Sequence, residues 1–337
     1  LASLGPSMAN LMKKQTEELN KAGFNESTLE KDIDKRSLQI EKILTKLPAF
    51  RSQNLLGEWH SNNHARIATS AFEEIESKLI EEFNKLKDGQ TSLKLDPSIE
   101  IPKYWKYPIH RTTGGWDGHK HMGFIHGELI HRKIVGKALT PAGGTAYNDI
   151  NSDRLKFASE APRRDYNTIL EIGCSSGPYT SKLSEVFPKS RILACDLSAS
   201  QLVHAQHNGN ALGHSWELFQ ADGRFTGLEE SSVDLFTSYI ILHELPVDII
   251  VDILNEGFRV LRSGGELFFG DVAPYSSMDK LSSWRTDYLA RYGGEPYWRG
   301  SATMDMVGEM KKIGFKDIKY YGMKPKNYPW VTFGRKP

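Results

Sequence analysis

The stretch Thr168-Ile-Leu-Glu-Ile-Gly-Cys-Ser-Ser-Gly-Pro178 decides the fold. An apolar run of strand length, Thr168–Ile172, ends in a turn of small residues from Gly173 to Gly177 and passes into a helix opened by Pro178. Glycine in such a turn lets a ligand approach the backbone closely. Glu171 sits at the carboxyl end of the run, where open parallel sheets bind ligands, and a carboxylate there can pair with a cationic amino group. Asp196 ends the next apolar run about 25 residues on, the spacing at which an acid accepts hydrogen bonds from both ribose hydroxyls. Asp222, in Ala-Asp-Gly after the third run, is placed to reach an adenine edge.

Downstream the texture keeps alternating. Helix Pro178–Phe187, strand Arg191–Asp196, helix Ser198–Asn208 and strands Trp216–Gln220 and Val233–Tyr239 lead to helix Pro246–Leu261 and strand Glu266–Asp271. Strands alternating with helices of this length predict an α/β, doubly wound parallel sheet. The tail adds helix Ser301–Ile313 and strands near Lys316–Tyr320 and Trp330–Gly334.

Upstream, Leu11 to Lys87 is charged and helical, with apolar positions such as Ile40, Leu44 and Leu47, then Ile75, Leu79 and Phe83, recurring at three to four residues. Gly89 to Gly118 is rich in Pro, Trp, Tyr and Gly and reads as an ordered loop. A helix over Phe124–Leu139, a turn at Pro141–Gly144 marking a seam, and a short helix over Ser152–Glu160 follow. Residues 1–7 (LASLGPS) precede Met8 and read as a vector-derived scar outside the fold.

The 337 residues suit two units sharing a core, and 43 Lys+Arg against 42 Asp+Glu leave a charge of +1 with neither sign blocked. That balance offers no basic footprint for nucleic acid. With no apolar run of membrane-span length and no signal-peptide layout, the chain reads as soluble and cytoplasmic, with no membrane partner. Cys174 and Cys195, the two cysteines, lie in or beside core strands at no metal-type spacing, and no disulfide is expected.

The ordered motifs ILEIGCSSG, ACDLS, QADG, VDLFTSYIILHELP and RVLRSGGELFFGD span roughly residues 165–272. Over them the chain resembles the class I S-adenosylmethionine (SAM)-dependent methyltransferases, especially the small-molecule branch that includes the menaquinone and ubiquinone C-methyltransferases. The resemblance implies a Rossmann-like seven-stranded sheet over 161–337 with an insertion at 272–300, and a mainly helical lid or substrate domain over 8–160. It assigns Glu171, Gly173 and Gly177 to the methionine part of the cofactor, Asp196 to the ribose, and Asp222 with Gly223 to the adenine. Leu197 joins these cofactor contacts, and Ser238 or Tyr239 stands beside the sulfonium. Where the family's G-x-G-x-G loop has its middle glycine this chain has Ser175, whose hydroxyl can donate to the cofactor carboxylate.

Methyl transfer from a sulfonium is an in-line displacement, so the protein aligns the nucleophile and removes a proton where the acceptor carries one. His243 and Glu244, in Ile-Leu-His-Glu-Leu-Pro, follow the fourth strand of that domain, and Asp271 ends the fifth. His243 ranks first as base, since an unperturbed pKa of about 6.5 suits proton removal at neutral pH. Glu244 is an alternative base, or a cap for the helix near Pro246. The segment from Gly114 to His131 holds four histidines, of which His121 or His126 could face the acceptor, or all could be structural; their spacings match no zinc pattern, and no metal is expected. Tyr239 is a further catalytic candidate. Trp116 on the aromatic loop, with Trp284, Arg285, Tyr288 and Arg291 in the insertion, are candidate substrate contacts, although Trp284 and Tyr288 stand at helical spacing and could pack a helix.

The leading expectation is transfer of the SAM methyl to a small-molecule acceptor, with a homodimer as the candidate assembly. A second reading is a catalytically silent SAM-binding regulatory or structural module. A nicotinamide oxidoreductase ranks third, because G-x-G-x-x-G is absent and Asp222 would have no task.

Overall fold

Strand β2, Thr168–Ile172, is buried along its whole length, as a continuous apolar run in a parallel sheet must be. A computed structural model of the chain describes residues 5–112, 114–135 and 150–337, with β2 near the middle of one mixed sheet of eight strands. In chain order the strands are β1 Ser92–Lys94, β2, β3 Arg191–Asp196, β4 Glu217–Gln220, β5 Val233–Tyr239, β6 Leu261–Asp271, β7 Lys316–Gly322 and β8 Trp330–Arg335. Their spatial order is β1-β4-β3-β2-β5-β6-β8-β7, parallel from β1 to β6, with β8 antiparallel to both of its neighbours. The fold is α/β and Rossmann-like. Because the chain runs outward through β3 and β4 and then returns to the other side of β2 with β5, the order reverses between β2 and β5. A crevice opens at the carboxyl ends of strands at such a point.

The sheet exceeds the expected seven strands because Ser92–Lys94 lies parallel beside β4, inside a segment read as loop. Three residues are too few to show a strand period. Thr91 seats them: its backbone N–H donates to Asn210 Oδ1 at 2.9 Å and its hydroxyl to the His214 carbonyl at 2.7 Å. Strand β6 begins at Leu261 rather than Glu266, directly after helix Val247–Val260. The helix expected over Ser301–Ile313 is two, Trp298–Thr303 and Met306–Ile313. Met304 between them is extended, and Asp305 caps the second by accepting from the Gly308 N–H at 2.9 Å.

Four helices, Gly5–Lys21, Ile33–Leu44, Pro48–Glu73 and Glu76–Lys85, fill the amphipathic N-terminal region, the first starting within the stretch set aside as scar. The helix expected from Phe124 is wound as a π-helix over Ile125–Val135; its end at Leu139 and the turn at Pro141–Gly144 lie outside the described residues. Among the described residues no helix is long and apolar enough to cross a membrane, and both cysteines are free and buried.

Helix Ile150–Ser159 is seated on the sheet by Phe157, which is fully buried and stacked on Phe268 with ring centroids 4.5 Å apart. A Cβ at Gly270 would come within 2.7 Å of the Phe157 ring, so the strand carries glycine where the ring lies. Phe157→Ala is expected to lower stability by about 3–5 kcal/mol through lost burial and a residual cavity, read from the urea midpoint.

Candidate functional site

The turn after β2 places three alternate residues in the left-handed region: Gly173 at φ 64°, Ser175 at 51° and Gly177 at 86°. A Cβ at Gly177 would lie 2.7 Å from the buried Trp216 ring, so glycine is required there on two counts. Ser175, at the family's middle glycine, holds the same backbone sign, and its hydroxyl donates to Gln201 Oε1 at 3.1 Å.

Asp196, at the end of β3, fixes this turn. One of its oxygens accepts the Ser175 N–H at 2.8 Å and the other the Ser198 N–H at 2.9 Å. Burial raises its pKa to about 6 against those two N–H groups. The turn borders a cavity of about 870 Å³ at the carboxyl ends of β2, β3 and β5, within the range of ligand sites. Glu171, Gly173, Ser175, Gly177, Asp196 and Leu197 all line it. Glu171 is buried, its Oε2 has no hydrogen-bond partner, and burial raises its pKa to about 8. An acceptor atom left bare beside a glycine turn fits a ligand with a cationic amino group.

Two expected cofactor contacts are placed differently. After β4, where adenine contacts are expected, the wall is formed by Ala221 and Gly223, while the Asp222 carboxylate is held by Arg224, with Nη2 to Oδ2 at 2.7 Å. At the end of β5 Tyr239 lines the cavity, whereas Ser238 is wholly buried away from it.

The opposite rim carries acid–base groups. Asp271, ending β6, accepts the backbone N–H groups of Ile241 and Leu242 at 2.8 and 2.6 Å through Oδ2. Its Oδ1 lies 2.9 Å from His243 Nδ1. Each hydrogen bond follows from a turn in which Ile240, a β-branched residue, takes φ 61°. His243 is buried against the edge of Trp298, and Glu244 beside it does not cap the following helix, whose N-cap has no side-chain bond. Glu244 Oε1 instead lies 3.3 Å from His110 Nε2, and Glu295 Oε1 lies 2.5 Å from His110 Nδ1. Burial opposes charge on both histidines. Asp271 and Glu244 nevertheless raise His243 to about 9, and Glu244 with Glu295 raise His110 to about 10.

The aromatic loop and the π-helix form the roof. Trp116 lines the cavity with its ring 4.4 Å from that of His126, and neighbouring Asp117 accepts the Ser198 hydroxyl at 2.6 Å. On this π-helix His126 and His131 both line the cavity, with rings 5.3 Å apart. Burial holds both below the ordinary histidine range, hence neutral. His121 does not reach the cavity; it packs on Phe72 and Phe83 with Nε2 3.6 Å from Glu76. Among the described residues no three histidine, cysteine or carboxylate side chains converge as metal ligands.

The structure does not bring the insertion's aromatic and basic residues to the cavity. Trp284 packs with Leu19, Ile40, Leu44 and Phe50 of the N-terminal helices, and Tyr288 joins them. Arg285 donates to the Met12 carbonyl at 3.3 Å, and Arg291 bridges Asp287 and Glu41 at 2.9 and 2.6 Å. Their helical spacing marks a helix–helix contact. Arg154, His110 and Tyr328 line the cavity unforeseen.

Residues 169–265 match a family model described as a methyltransferase domain. Over that stretch the chain is similar to methyltransferase domains. SAM is the cofactor of such a domain, and the bare Glu171 oxygen, the glycine turn and Asp196 fit its amino, backbone-facing and ribose parts. Curated relatives include a malonyl-[acyl-carrier protein] O-methyltransferase of Legionella pneumophila, 28% identical over 39% of this chain and 44% of that protein. Another is the arsenite methyltransferase of Mus musculus, 27% identical over 50% of this chain and 46% of its own. The chain thus spans under half the length of these two relatives. Among solved structures, human N-acetylserotonin methyltransferase in complex with SAM aligns with 12% identity and a TM-score of 0.48, over 66% of this chain and 58% of that one.

The Glu171 environment has a measurable consequence. With its pKa raised to about 8, the free protein holds it largely protonated at neutral pH. A cationic amino group pairs only with the ionised form, so binding expels a proton and affinity rises with pH. The affinity for S-adenosylhomocysteine is expected to increase between about pH 6 and pH 8 and Glu171→Gln to flatten that rise, by calorimetric titration across the range.

Proposed function

We propose that this chain transfers the methyl group of SAM to a small-molecule acceptor held in the same cavity, with His243 as the general base. When bound, the sulfonium supplies an electrophilic methyl group opposite its leaving sulfur. The acceptor's attacking atom gains that carbon as the carbon–sulfur bond breaks, and its proton passes to His243 Nε2. The relatives are named for methylation of different acceptors, so the acceptor class rests here on the cavity and not on them.

The observation that carries this reading is the Asp271–His243 pair. Asp271 accepts from the Nδ1 side, which fixes the tautomer of the neutral ring, and Nε2 of this cavity-lining residue has Glu244 Oε1 at 4.0 Å as its ion-pair contact. The roof of Trp116, His110 and His126 encloses this rim, which favours a small acceptor and the exclusion of water. A silent binding module has no use for a buried histidine oriented in this way.

His243→Ala is expected to reduce kcat by about 10²–10⁴-fold while leaving S-adenosylhomocysteine affinity within about threefold, once an acceptor is found by screening methyl transfer from radiolabelled SAM. Unchanged turnover would assign His243 to structure. A base must be neutral to take a proton, and the His243 pKa is raised to about 9, so kcat should climb with pH toward that value. Asp271→Asn, removing the charge that raises it, should move the climb to lower pH, read from the kcat–pH profile of the two proteins. Asp196→Ala should weaken SAM binding at least about tenfold by removing a charged partner of the ribose; full affinity would contradict that role.

A further inference from the structure

One carboxylate oxygen, Glu244 Oε1, stands between two imidazoles, 3.3 Å from His110 Nε2 and 4.0 Å from His243 Nε2. At 4.0 Å the second contact is too long for a hydrogen bond, and closing it takes a shift of only about 1 Å. The two rings therefore compete for the same acceptor atom. If Glu244 closed on His243, that ring would carry a carboxylate on each nitrogen, Asp271 on Nδ1 and Glu244 on Nε2. Both donors of an imidazolium would then be satisfied, so the ring would hold its proton and an acceptor would find Nε2 occupied.

His110 is built to win this competition. Glu295, which follows helix Lys280–Gly293, occupies its Nδ1 side and turns Nε2 toward Glu244. The loop backbone is fixed apart from the ring: the His110 N–H donates to the Gly294 carbonyl at 3.2 Å, and the Arg111 guanidinium reaches Asn62 Oδ1 at 3.0 Å. Among the described residues, Asp271, Glu244 and Glu295 supply the negative charge that acts on His243, and Glu244 and Glu295 that on His110. His126 and His131 of the roof and His64 of helix Pro48–Glu73 sense the His110 charge; burial holds all three below the ordinary histidine range, so none can draw Glu244 as a cation. Across the cavity Asp196 senses the Glu244 charge.

We propose that His110 is a positioning residue that holds Glu244 away from His243 and so keeps Nε2 of the base open to the acceptor. The inference rests on the reading of His243 as the base. It gives a task to the one ring of this roof that carries charge beside Trp116, His126 and His131.

The test is a double-mutant cycle on the full chain, reading the His243 pKa by NMR titration of histidine-labelled protein, with the His243 signal assigned by its loss in His243→Asn. His110→Asn suits the left-handed backbone at φ 53° and is too short to reach Glu244. It is expected to raise the His243 pKa by about one pH unit, as Glu244 closes on Nε2. In a Glu244→Gln background the same substitution should raise it by less than about half as much. His110→Arg, which keeps a cation beside Glu244, should hold the wild-type value, and His110→Gly, unstrained at that φ, serves if the Asn variant melts early. A rise of equal size in both backgrounds, which the lost His110 charge alone would produce, overturns the inference, as does no rise in either. The shift needs no acceptor to be seen. With an acceptor in hand, the kcat–pH climb of His110→Asn should move up by the same amount, lowering turnover at neutral pH about tenfold; if the NMR shift appears and the climb does not follow, the base reading fails while the competition for Glu244 stands.

Discussion

One buried carboxylate, Asp196, holds the ligand-binding end of the sheet in shape. By taking one backbone N–H from each of Ser175 and Ser198, it joins the turn that leaves β2 to the start of the helix that leaves β3. Together with the bonds from the Ser175 hydroxyl to Gln201 and from the Cys174 N–H to the Cys195 carbonyl, it sets the left-handed turn at Gly173, Ser175 and Gly177. Across the order reversal Asp271 plays the corresponding part for the exit from β5, gathering Ile241, Leu242 and His243 around one carboxylate. The site is therefore framed by two acids at strand ends, each bonded chiefly to backbone, so its geometry comes from main-chain positions rather than mobile side chains.

Much of the domain was legible because its physics is local. Strands covered on both faces are apolar throughout, and β2, β3 and β5 fall within the bounds their sequences suggest. Glu171 and Asp196 could be picked out because a carboxylate at the end of an apolar run has no structural excuse. Strand β1 was illegible for the opposite reason: three residues paired on one side carry no pattern of their own.

The other half of the cavity wall was harder to read. Arg154 and His110 line the cavity only because the chain folds back over the sheet, and nothing in their neighbours' spacing encodes that return. The insertion misled in a specific way. Aromatic residues interleaved with arginine look alike whether they face a ligand or another helix, and here Asp287 gathers Arg291 and Arg299 into a clasp for the N-terminal helices. His126 and His131, whose spacing matched no zinc pattern, lie with their rings 5.3 Å apart on a π-helix.

The turn at Ile240 bears on how the site meets its ligands. A β-branched residue at φ 61° costs on the order of 1–3 kcal/mol, and it persists because its N–H reaches the Gly270 carbonyl at 2.7 Å while Asp271 anchors the next two residues. That unfavourable conformation is adopted when the chain folds, not when a ligand arrives. The imidazole edge beyond it then stands ready at encounter, and binding free energy is not diverted into reshaping the rim.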